Sequence, residues 1–226
     1  MAGLVVYTED SPERGAVVVR ALAERILLHL SRRHSLPRID VAHGEPANAA
    51  NGLRWRARDG RERRILVRDL ATRLAQGALV VFHYDGDVPW TDEATSSRHD
   101  DAFAGLLADV ARLMAGPLPS EPLTFVPHYS IEAWLYLHEK VVAELVSDNR
   151  APQATEPWMT ANRRPETGFD HVDGPKDTCP LGDRFNGDLA RNFPVPRCIN
   201  QSPSLRRTVD AWAARGDLRA LLGIAD

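Results

Sequence analysis

Two apolar runs in this chain each end in acid. Leu4-Val5-Val6-Tyr7-Thr8 leads into Glu9, and Leu79-Val80-Val81-Phe82-His83-Tyr84 leads into Asp85-Gly86-Asp87. Apolar runs without alternation read as strands buried on both faces of a parallel sheet. In open α/β sheets ligands bind beyond the carboxyl ends of the strands, so acids placed there face a crevice rather than the core. Asp85 and Asp87 are two residues apart, so in extended chain they point the same way and can offer oxygen ligands to one hard divalent cation. Glu9 makes the set a carboxylate trio. Two plainer explanations compete. Glu9, with Asp10 and Glu13, complements the positive end of a following helix, and Asp85-Gly86-Asp87 is an ordinary turn.

The elements that must position these acids alternate along the first two-thirds of the chain. Gly3–Tyr7 reads as a strand, and Ser11-Pro12 opens a helix that runs to about Arg33, with Val18, Leu22, Ile26 and Leu30 at helical spacing. Ile39–Ala42 is a short second strand. A second helix spans Glu62–Gln76 with Ile65, Leu66, Leu70 and Leu74 on one side, and the strand Ala78–Tyr84 follows at once. Phe103, Leu106, Leu107, Val110 and Leu113 define a third helix closed by Gly116-Pro117, and Leu123–Val126 a fourth strand. Ser130 caps a fourth helix carrying Ile131, Trp134, Leu135, Val141, Val142 and Leu145. Strict alternation predicts an α/β fold with a mostly parallel four-stranded sheet, right-handed crossovers and helices on both faces. From Ser147 to Ser202 periodicity fades into prolines, glycines and asparagines. The expected organisation is therefore a core over residues 1–146 and an irregular extension over 147–226, closed by short helices at Pro203–Ala214, capped by Ser202, and Leu218–Ile224.

Composition bounds the function. At 226 residues the chain can bury a sizeable core. No apolar run approaches a membrane span and the N-terminus lacks a signal-peptide pattern, so no membrane partner and a cytoplasmic location are expected. Cys179 and Cys198 are too few and too far apart for a disulfide framework, and read as free thiols. The net charge of −3 argues against a general electrostatic grip on nucleic acid, but leaves room for a local basic patch. Eight histidines lack zinc-site spacing; His83 and His128 read as packed residues, and a site shared by His171, Cys179 and Cys198 has no motif behind it. Neither a Walker loop nor a Gly-x-Ser-x-Gly elbow is present, which removes P-loop hydrolysis and the common serine-hydrolase arrangement.

A glutamate after the first strand, Asp-x-Asp after the third, and a further acid beyond the fourth resemble the toprim fold of topoisomerases, primases and the overcoming-lysogenization-defect nucleases. The resemblance covers residues 1–146. It looks closest to short bacterial toprim-like proteins of phage-defence neighbourhoods, in which a segment similar to His128-Tyr129-Ser130-Ile131-Glu132-Ala133-Trp134-Leu135 carries the third acid; Gly174-Pro175-Lys176 and Ser202-Pro203-Ser204-Leu205 also resemble motifs of that group. The resemblance implies a toprim, Rossmann-like sheet and a nuclease cleaving phosphodiester bonds of DNA or RNA with Mg2+ or Mn2+. In it, Glu9 transfers a proton at the reacting phosphate, Asp85 and Asp87 bind the metal, and Glu132 matches the acid that opens the fourth helix. It also implies an effector role in anti-phage defence with a separate ATPase subunit. The chain departs from the pattern at Val88-Pro89-Trp90, which follows Asp87 where the family has a small residue and another acid.

Arg54, Arg56, Arg58, Arg61, Arg63, Arg64 and Arg68, with Trp55 among them, form the densest basic stretch and the nucleic-acid-binding candidate, to which Lys176 adds one cation. The bland explanation is a solvated face in a chain with only two lysines that uses arginine throughout. Glu132, at the second position of its helix, is also favoured there by the helix dipole alone. Two other functions fit the same acids. A strand running into Asp-x-Asp is how haloacid-dehalogenase-like phosphatases present their nucleophile, with Asp85 in that role. A non-catalytic toprim-like regulatory subunit fits the altered turn after Asp87.

Overall fold

The computed structural model describes residues 4–8, 15–31, 41–43, 60–89, 91 and 97–224. In chain order these form β1 (Leu4–Thr8), α1 (Gly15–Ser31), β2 (Val41–His43), α2 (Arg61–Ala75), β3 (Leu79–His83), α3 (Asp100–Leu113), β4 (Leu123–Phe125), α4 (Glu132–Leu135), α5 (Glu139–Ser147), α6 (Thr155–Asn162), α7 (Pro175–Thr178), α8 (Asn186–Ala190), α9 (Val195–Cys198), α10 (Pro203–Ala213) and α11 (Gly216–Leu222). The fold is mixed α/β with a parallel sheet. β1 and β3 make its centre, β4 pairs with the outer side of β3, and the three-residue β2 pairs with the other side of β1, giving the order β2-β1-β3-β4. Every residue of β1 and β3 is buried, as their unbroken apolar runs require. No helix among the described residues is long and apolar enough to cross a membrane.

The chain divides into two compact units that interleave in sequence: residues 1–84, 98–125 and 212–226 form one, and residues 85–97 and 126–211 the other. The boundary expected at 146/147 falls inside the second unit.

The first unit contains the sheet. β1 and β3 run in register from Leu4 opposite Leu79 to Thr8 opposite His83. At that last pair the buried Thr8 Oγ1 and His83 Nδ1 lie 3.0 Å apart, and the His83 ring stands edge-on to Phe125. Tyr7 hydrogen-bonds Asp69 of α2, and burial drives its hydroxyl well above the ordinary tyrosine range. On α2 the buried face is Arg63, Leu66, Val67, Leu70, Ala71 and Leu74. Ile65, expected on that face, is 43% exposed. At 100° per residue it stands about 140° round the helix from Leu70, outside the apolar arc. Arg63 is buried instead. Its Nε and Nη2 both donate to Asp109 Oδ2, at 2.9 and 2.7 Å, an ion pair joining α2 to α3. At the C-terminal end Trp212 donates from Nε1 to the Thr124 carbonyl at 2.8 Å and packs edge-on against Phe125.

The second unit is built of short helices around a buried stem. Every residue from Ser130 to His138 is buried. The single helix expected to run from Ser130 through Leu145 is two, α4 and α5. The N–H groups of Leu137 and His138 bond carbonyls three residues back, His138 turns the chain at ψ 60, and its Nδ1 donates to the Leu189 carbonyl at 2.8 Å. A segment enclosed on all sides takes its path from its neighbours rather than from helical periodicity. Residues 148–202, expected to be irregular, carry α6 to α9. The Ser202 cap of α10 is present: its Oγ accepts the Leu205 N–H at 3.1 Å.

Candidate functional site

The Asp85-Gly86-Asp87 segment follows β3 directly and belongs to the second unit. There it pairs by backbone with the segment that leads into α4. Gly86 N donates to Pro127 O at 3.1 Å, Asp87 N to Tyr129 O at 3.1 Å, and Val88 N to His128 O at 3.4 Å. The approach is so close that a Cβ on Gly86 would overlap the His128 carbonyl oxygen and stand 2.8 Å from Pro127 O. The glycine is therefore dictated by contact, not by turn propensity alone.

The expectation that Asp85 and Asp87 point the same way from extended chain does not hold. Asp87 adopts the left-handed conformation, φ 55, with an exposed side chain. Aspartate is among the few residues that tolerate this region. Asp85 is half-buried, and its Oδ1 accepts the Ile131 N–H at 3.1 Å. It thereby takes the helix-opening role expected of Ser130, whose hydroxyl is buried without a hydrogen-bond partner among the described residues. A carboxylate accepting a first-turn N–H is a charge-assisted bond with a favourable dipole.

One residue on, Glu132 is 4% exposed. Its Oε1 accepts from Asn186 Nδ2 at 2.7 Å, while Oε2 is buried with no hydrogen-bond partner among the described residues. Beside Asp87, Tyr129 donates its hydroxyl to Asp173, which holds that hydroxyl above the ordinary tyrosine value; burial and the charges of Asp173, Asp87 and Asp177 add to the rise. Asp173 and Asp177 were not singled out from sequence. They flank Gly174-Pro175-Lys176, where Gly174 takes φ 56 and Pro175 opens the short α7, so that motif was the signal that could have found them.

Thus Asp85 and Asp87 lie on a segment of the second unit that pairs with the one leading into Glu132. Glu9, Arg54, Arg56 and Arg58 lie outside the described residues. Arg61 and Arg64 are exposed on α2 in the first unit, and Lys176 is exposed on α7 in the second. His83 and His128 are fully buried. His171 Nδ1 pairs with Thr167 Oγ1 at 3.1 Å, and Cys198 Sγ donates to the Leu137 carbonyl at 3.6 Å. Among the described residues no three His, Cys, Asp or Glu side chains are grouped so as to hold a metal ion. Comparison of the chain with protein-family models, with curated proteins and with solved structures found no match.

Proposed function

We propose that this chain is a metal-dependent phosphodiesterase of the toprim type, acting on DNA or RNA through Glu9, Asp85, Asp87 and Glu132. The observation that carries the reading is Glu132, a buried carboxylate with one oxygen unpaired among the described residues, one position after the N–H that Asp85 accepts. Leaving such an oxygen bare costs on the order of 1–3 kcal/mol or more, a cost that a cation or a protonated ligand would offset. The strand order lends support. In β2-β1-β3-β4 the connections diverge between β1 and β3, the position where open sheets bind ligands, and Glu9 and Asp85 follow those two strands in sequence. A four-stranded toprim sheet with helices on both faces, an anti-phage setting and a separate ATPase subunit are parts of the same proposal.

The donor set is all oxygen, which suits Mg2+ or Mn2+. Glu9, Asp85 and Asp87 would hold the ion, which when bound neutralises charge on a reacting phosphate and activates water. The chain's own residues supply the rest. Ile131 N fixes one oxygen of Asp85, the backbone pairing with Tyr129 sets Asp87, and Glu9 is the residue for proton transfer.

The decisive variant is Asp87→Asn, because asparagine tolerates φ 55, the side chain is exposed, and only the charge is removed. Purified protein with labelled DNA and RNA under Mg2+ or Mn2+ should cleave, and Asp87→Asn and Glu9→Gln should each lose about a hundredfold or more with unchanged circular dichroism. Full cleavage by both variants refutes the assignment. Absence of both cleavage and divalent-ion binding by the unmodified protein favours the regulatory subunit.

A further inference from the structure

The basic stretch is resolved by the fold into two kinds of arginine. Arg63 is 6% exposed and spent on Asp109. Arg61, Arg64 and Arg68 are exposed, and none of them has an ion pair or side-chain hydrogen bond among the described residues. At 100° per residue these three fall within an arc of about 60°, and they extend along about 10 Å of α2. Across from them, on α3, Arg112 is 76% exposed and held at 2.7 Å by the same Asp109. Between the helices runs a groove of about 450 Å3 lined by Gly60, Val67 and Leu113 together with Arg64, Arg68 and Arg112, and Arg61 stands on the same face of α2 outside its lining. Leu113 in the groove is 52% exposed, and Ile65, beside the arginine row on α2, is 43% exposed.

We infer that this α2–α3 face binds the phosphodiester backbone of a nucleic acid. The chain as a whole is acidic, at −3, yet this helix presents three exposed guanidinium groups in a row with no ion pair among the described residues. Guanidinium is planar and grips phosphate bidentately, and three of them in a row over two helical turns suit a ligand with regularly repeated charge. The Arg63–Asp109 pair locks α2 to α3 beneath the row, so the arginines stand on a rigid base. Ile65 and Leu113 give sugars and base edges an apolar surface, which a purely ionic contact would not need. The inference takes from the proposed function only the class of ligand. It uses none of the acids and no metal.

The test is fluorescence anisotropy in EDTA, where no metal-dependent cleavage intrudes, with one labelled 30-nucleotide sequence as a single strand and as a duplex. The unmodified protein should bind at 50 mM salt. The triple variant Arg61→Gln, Arg64→Gln, Arg68→Gln should bind about tenfold or more weakly. Its slope of log affinity against log salt should be shallower by about 2 on the single strand and nearly 3 on the duplex. The arm with the larger loss identifies the form bound. Arg68→Gln alone, an exchange between good helix formers at an exposed site, should lower the slope by about 1 and guards against misfolding of the triple variant. Arg191→Gln with Arg197→Gln, exposed in the other unit, should change nothing. Unchanged affinity and slope in both α2 variants overturns the inference, as does failure of the unmodified protein to bind either nucleic acid; capture of an acidic protein by this face would then be the competing outcome. Asp87→Asn should bind normally in EDTA. Cleavage that fails while this binding holds refutes the proposed function alone, and cleavage that persists without loss in the triple variant refutes the inference alone.

Discussion

Replacing Gly86 by alanine separates two accounts of the Asp85-Gly86-Asp87 segment. Gly86 has no positive φ, so its backbone conformation is open to alanine, and if the glycine were only a turn former the exchange would stabilise by about 0.4–1 kcal/mol through the unfolded chain. The structure predicts the opposite sign. The new methyl would overlap the His128 carbonyl oxygen, stand 2.8 Å from Pro127 O and 2.9 Å from the His128 carbonyl carbon. These are backbone atoms that cannot swing aside. Overpacking of this kind costs about 1–3 kcal/mol. Displacing the segment also loosens the three backbone hydrogen bonds to Pro127, Tyr129 and His128, at about 1 kcal/mol each. The expected destabilisation is about 4 kcal/mol, or roughly 8–16 °C in Tm for a chain of this size. Urea unfolding followed by circular dichroism measures it, with Gly216→Ala as control, since a Cβ there meets nothing within 4 Å. Gly86→Ala as stable as the unmodified protein would refute the close approach, and with it the pairing that joins Asp85 and Asp87 to Glu132.

Two other predictions concern buried groups of the second unit. Asp170 is fully buried with Oδ2 accepting from Ser202 Oγ at 2.7 Å and Ser204 N at 2.9 Å, and burial pushes its carboxyl up to about 6 despite these donors. A folded value above the unfolded one means that ionisation costs the folded state. The contribution is complete below about pH 4 and is lost as pH rises to about 6, some 3 kcal/mol in all. Asp170→Asn should flatten the dependence of urea midpoint on pH across that window, and an identical slope in both proteins would rule out Asp170 as its source. The thiols of Cys198, pushed up to about 12 by burial, and of Cys179, raised for the same reason, are both enclosed. Iodoacetamide at pH 8 should leave the native protein unlabelled and add two adducts in urea, as read by mass spectrometry. Rapid labelling of native protein would contradict this burial.

Local rules were enough wherever one element answers to one signal. The unbroken apolar runs determined β1 and β3, helical spacing determined α1 and α3, and Ser202 before Pro203 determined the cap of α10, because each depends on neighbours a few residues away. That Asp85 directly follows the strand pattern ending in Tyr84 was legible too, because it needs only chain order. Ile65 and Arg63 show where this stops: an isoleucine faces solvent and an arginine is buried because Asp109, forty-six residues on, waits on α3. The same separation divides Ile131 from Asp85, which accepts its N–H in place of Ser130, the cap suggested by its type. The one helix expected through Leu145 breaks at His138 because Leu189 draws that ring aside. Tertiary structure alone decided that Asp87 turns left-handed, that one buried oxygen of Glu132 has no partner among the described residues, and that Asp173 and Asp177 join Tyr129. Side-chain type is written in the chain, but which hydrogen bond it makes depends on partners that only folding brings within 3 Å.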